Sequence, residues 1–123
     1  MSDHNLDERR VLVVEDEYML AEDMRETLEA AGAIVLGPAA SLEGALALLR
    51  TEATVDAATV DINLGGQASY PVADELLRRG IPFLFTTGYD PGAIPVQYQH
   101  ITRCEKPVRV QTVRDVLDRV IHG

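Results

Sequence analysis

Short apolar runs that alternate with stretches of helical periodicity restrict this chain's fold more than any other feature. Val11-Leu12-Val13-Val14 is a continuous, β-branched-rich run, the pattern of a strand buried on both faces. Over residues 17–31 the period changes: Met19, Leu20, Met24, Leu28 and Ala31 recur at helical spacing. Gly32 stops that helix. Residues 33–36 read as a second strand, closed by Gly37-Pro38. Ser41 is a credible N-cap for a second helix with Leu42, Ala45, Leu46 and Leu49 on its apolar face. A third strand spans 56–61, and Gly65-Gly66-Gln67-Ala68-Ser69 is loop. Pro71 fits the first turn of a third helix that runs to about residue 79. A fourth strand covers 81–86.

Residues 89–100 hold Pro91, Gly92 and Pro95, which rules out a regular helix of normal length; a short turn of helix or an irregular crossover is expected there. A short fifth strand covers 101–105. The last helix, 108–121, carries Val110, Val113, Leu117 and Val120 at helical period. Residues 1–9 are expected to form a flexible tail, with one domain over 10–122. Strand–helix alternation of this kind implies an α/β, doubly wound, mostly parallel sheet with helices on both faces.

In such folds functional groups collect beyond the carboxyl ends of the strands. Glu15-Asp16, Asp61, Thr87 and Lys106-Pro107 each follow an apolar run, so all four pieces are expected around one hollow. Asp61 is the candidate nucleophile, because a carboxylate can attack phosphorus and form an acyl phosphate. An Asp that closes a strand often merely makes a turn. The neighbouring acids argue for more: clustered carboxylates repel one another unless a cation intervenes. Mg²⁺ prefers oxygen ligands and keeps several waters. Its expected ligands are Asp16, Asp61 and the backbone carbonyl of Asn63, with Glu15 acting through water. Lys106 supplies a compact positive charge for phosphoryl oxygens. Thr87 offers a hydroxyl, and strand alternation allows only one of Thr86 and Thr87 to face the site.

The net charge of −9 argues against binding nucleic acid or an anionic membrane surface. A single cysteine, Cys104, excludes an internal disulfide. The polar start of the chain has no apolar signal core, so a cytoplasmic location is expected.

These motifs resemble the receiver domain of two-component response regulators, over roughly residues 10–122. The run Val11-Leu12-Val13-Val14-Glu15-Asp16-Glu17 is similar to that family's first strand and acid pair. Asp61 takes the place of the phosphoacceptor, Thr87 of the switch hydroxyl, and Lys106-Pro107 of the Lys-Pro pair. The resemblance implies a five-stranded parallel sheet of order 2-1-3-4-5, bound Mg²⁺, and phosphoryl transfer from a sensor histidine kinase. It also implies a phosphoprotein that signals through a downstream protein partner or acts as a phosphoryl sink, rather than an enzyme that turns over substrate. Phe85-Thr86-Thr87-Gly88-Tyr89 resembles the Phe-x-Thr-Gly-Tyr signature of a single-domain subgroup linked to general stress signalling.

The chain departs from the family in three places. No proline follows the Asp61 segment, the fourth helix is short or irregular, and Arg103 stands where most members carry an aromatic that moves on activation. Tyr89 is the candidate to replace that aromatic. Two other readings compete: a phosphorylation-independent pseudo-receiver, and a haloacid-dehalogenase-like phosphatase. The phosphatase wants a second acid two residues after its nucleophile, where this chain has Asn63.

Overall fold

The computed structural model describes residues 6–123. Five strands, β1 (Arg10–Val14), β2 (Ile34–Ala39), β3 (Ala57–Asp61), β4 (Phe83–Thr87) and β5 (Arg103–Glu105), form one parallel sheet of order β2-β1-β3-β4-β5. The α-helices among the described residues are α1 (Tyr18–Ala30), α2 (Leu42–Thr51), α3 (Tyr70–Arg78) and α4 (Val110–His122). This is the expected doubly wound fold and strand order.

The two faces of the sheet follow from side-chain alternation. Leu12, Val14, Ala58, Val60 and Phe85 point into a core shared with α2 and α3. Val11, Val13, Ala57 and Leu84 point into the other, packed against Met24 and Leu28 of α1 and Val113 and Leu117 of α4. Burial on both sides explains why β1, β3 and β4 are largely apolar and carry no exposed residue.

The expected fourth helix is indeed irregular: two single-turn 3-10 helices, Pro91–Ala93 and Val96–Tyr98, take its place. Proline at each of these turns removes a helix donor. Tyr98 holds the crossover on α3, stacked on Tyr70 with ring centroids 4.5 Å apart and donating its hydroxyl to Asp74 at 2.7 Å.

Three expectations need correction. Strand β2 does not stop before Gly37-Pro38; Gly37 at φ +92° forms an irregularity, and pairing resumes at Ala39 beside Val14. The stretch 65–69 is not plain loop: Asn63–Leu64 and Gln67–Ala68 form a tight antiparallel hairpin, turned by Gly65 and Gly66 at positive φ. The tail does not extend to residue 9. Leu6 is fully buried against the α1 side, and the amides of Leu6 and Glu8 donate to the carbonyls of Ala31 and Gly32. One apolar side chain outweighs the polar residues around it. Residues 1–5 of the expected tail lie outside the described residues.

Replacing Leu6 with Ala is therefore expected to destabilise the fold by ~2–5 kcal/mol, read from urea unfolding. A change under ~0.5 kcal/mol would show that the segment adds nothing to the core.

Candidate functional site

The carboxyl ends of β1 and β3, the start of the Asn63–Leu64 hairpin and the turn after β5 meet at an open hollow of about 320 Å³. Asp16, Asp61, Asn63, Gly65, Gly88, Tyr89 and Lys106 line it. One carboxylate oxygen from each of Glu15, Asp16 and Asp61 lies within 4.8 Å of the others. Glu15 and Asp61 are buried, whereas Asp16 is exposed.

Lys106 crosses this cluster. Its Nζ donates to Asp61 Oδ2 at 2.9 Å and to Glu15 Oε2 at 3.4 Å. Burial works against the ammonium, yet the hydrogen bond and charge of Asp61, with the charge of Glu15, lift its pKa. Lys106 is therefore a fixed cation. Backbone amides set the other oxygens: Asn63 N–H donates to Asp61 Oδ1 at 3.0 Å, and Gly65 N–H to Asp16 Oδ2 at 2.8 Å.

Glu15 is the least satisfied member. Burial pushes its carboxyl up to about 7, with the Asp61 charge adding to the rise; the Glu17 amide and Lys106 pull the other way. Its Oε1 is buried and has no hydrogen-bond partner among the described residues. An acidic cluster with an orphaned buried oxygen has the donor chemistry that Mg²⁺ requires. The donor set fits such an ion: Glu15, Asp16 and Asp61 each offer a carboxylate oxygen, and Asn63 lines the same hollow.

Thr87 is buried at the end of β4, but its position is lateral. Its Oγ1 accepts from Tyr89 N–H at 2.8 Å, and it lines a smaller hollow of about 60 Å³ shared with Lys106, Tyr89 and Glu105. Tyr89 borders both hollows and is partly exposed. Arg103 turns aside and donates to the Gln99 carbonyl at 3.3 Å. Sequence reasoning missed Ser69, whose hydroxyl donates to the Asp61 carbonyl at 2.6 Å. Its place just before Tyr70-Pro71 was the available signal.

No protein-family model matches the chain, and no curated protein does. Solved structures do. The BeF3-activated SdrG from Pseudomonas melonis Fr1 is 32% identical, with TM-score 0.74, over 98% of this chain and 99% of that one. A response regulator receiver protein from Sinorhizobium medicae WSM419 is 20% identical, with TM-score 0.79, over 96% and 98%. The response regulator PhyR from Brucella abortus is 24% identical, with TM-score 0.80, over 98% of this chain but 51% of its own, so this chain spans about half of it. With this fold, this strand-end cluster and SdrG 32% identical over 99% of its own chain, the chain belongs to the response regulator receiver domains.

Proposed function

We propose that Asp61 accepts a phosphoryl group from the phosphohistidine of a sensor histidine kinase. The observation that carries this is the Lys106 ammonium 2.9 Å from a buried Asp61 carboxylate, inside a three-acid cluster. A carboxylate oxygen of Asp61 attacks phosphorus, the phosphorus–nitrogen bond breaks, and the electron pair returns to the imidazole. An acyl phosphate and a histidine result. Lys106 faces the oxygens on which charge accumulates, and backbone amides hold the attacking carboxylate in place. Such transfers are driven by positioning and charge neutralisation. Bound Mg²⁺ would supply further charge neutralisation at the same oxygens.

Thr87 is the proposed switch hydroxyl, freed toward the phosphoryl group by exchanging its contact with the Tyr89 amide, and Tyr89 is the proposed aromatic partner. The signal leaves through contacts with a downstream protein, or the domain drains phosphoryl groups from its kinase. The Phe85-to-Tyr89 motif supports a place in stress signalling. A cytoplasmic location belongs to the same reading. Among the described residues no helix is long and apolar enough to cross a membrane.

Acetyl phosphate with Mg²⁺ should add one phosphoryl group, seen by intact mass. Asp61→Asn should take up none, and Lys106→Ala should react about a hundredfold more slowly. Uptake by Asp61→Asn at the wild-type rate would refute the assignment.

The Glu15 carboxyl gives a second test. Its pKa is about 7 when folded against an ordinary 4.5. Its share of stability is therefore full below 4.5 and is lost as pH rises through 7. In EDTA, Glu15→Gln should gain urea resistance relative to wild type across that window. Mg²⁺ should narrow the difference at high pH. A pH-independent difference would contradict the buried-charge account.

A further inference from the structure

Ser69 occupies the N-cap position of α3, where a serine hydroxyl ordinarily accepts from the amides of the first turn. Ser41 does this for α2, accepting from Gly44 N–H at 3.0 Å. Ser69 does not: it makes no side-chain cap bond. Its hydroxyl instead donates at 2.6 Å to the backbone carbonyl of Asp61, eight residues back, in a fully buried setting. Its own amide donates to the Ile62 carbonyl at 2.8 Å. Two bonds from one residue thus close the segment that carries Asn63 and Gly65.

We propose that Ser69 is a positioning residue for the metal-binding loop, acting through the Asp61 carbonyl. The inference rests on the phosphoacceptor reading of the site. Held at its base by Ser69, the hairpin places Asn63 N–H on Asp61 and Gly65 N–H on Asp16. It therefore sets two of the carboxylates and the Asn63 carbonyl before a cation arrives. Without the hydroxyl, the buried Asp61 carbonyl loses a partner and the loop must be ordered at the moment of binding, which weakens affinity. Tyr70, next in the chain, is stacked on Tyr98, so the anchor is itself clamped.

The test is Mg²⁺ titration by calorimetry on the full chain, with amide hydrogen exchange of Gly65 measured in EDTA. Ser69→Ala should weaken Mg²⁺ binding about tenfold and speed Gly65 exchange. Ser69→Thr and Ser69→Val place side chains of nearly equal shape at the position; the first should keep wild-type affinity and the second lose it. This pair decides the matter if Ser69→Ala fails to fold. Ser41→Ala, an ordinary cap deletion, should lower the melting temperature and leave Mg²⁺ affinity unchanged. If Ser69→Ala and Ser69→Val lower the melting temperature but bind Mg²⁺ within about twofold of wild type, Ser69 is only structural and the proposal is overturned. If the wild type itself takes no Mg²⁺, the phosphoacceptor reading falls first and this inference with it.

Discussion

The ion pair between Lys106 and Asp61 holds together what the rest of this protein is arranged to supply. Three carboxylates gathered within 4.8 Å, two of them buried, repel one another. One ammonium relieves part of that repulsion and touches two of the acids. It leaves Glu15 with an orphaned oxygen and a raised pKa. The site is under-neutralised, and that deficit is its chemistry. A bound divalent cation would answer it by adding positive charge among the acids.

Maintaining such a deficit requires a rigid platform. The acids cannot drift apart to relax because they stand on strand ends whose register is fixed by two cores, one on each face of the sheet. Lys106 is fixed from the opposite side, its amide donating to the Thr87 carbonyl at 2.8 Å. The residues that meet here are far apart in sequence, 91 positions in the case of Glu15 and Lys106. Parallel topology alone brings them together.

That topology is why much of the site is legible in the chain. Buried parallel strands announce themselves as short apolar runs, and the polar residue after each run must lie at the carboxyl edge. The positions of Asp16, Asp61 and Lys106 follow from that rule. The misses have physical causes. Leu6 is a single apolar residue among polar ones, too local for periodicity to reveal. The Asn63–Leu64 hairpin depends on two successive positive-φ glycines, which read equally well as a flexible turn. The Ser69 hydroxyl makes its contact eight residues back, whereas capping rules look only forward into the helix. Thr87 falls on the expected strand end, but its hydroxyl is engaged by the Tyr89 amide, a bond no spacing rule anticipates.

The irregular crossover is tied to the Asp61 segment through packed rings. Arg103 on the edge strand faces away to Gln99, so no aromatic from β5 fills the space beside the site. The large rings of this side are Tyr70, Phe83, Phe85 and Tyr98, packed edge-on or stacked. Tyr70 begins α3 and directly follows Ser69, which is bonded to the Asp61 backbone. Tyr98 belongs to the crossover and is tied to the same helix through Asp74. The Asp61 backbone, Ser69, the Tyr70–Tyr98 stack and Asp74 thus form one contiguous set of contacts between the site and the crossover.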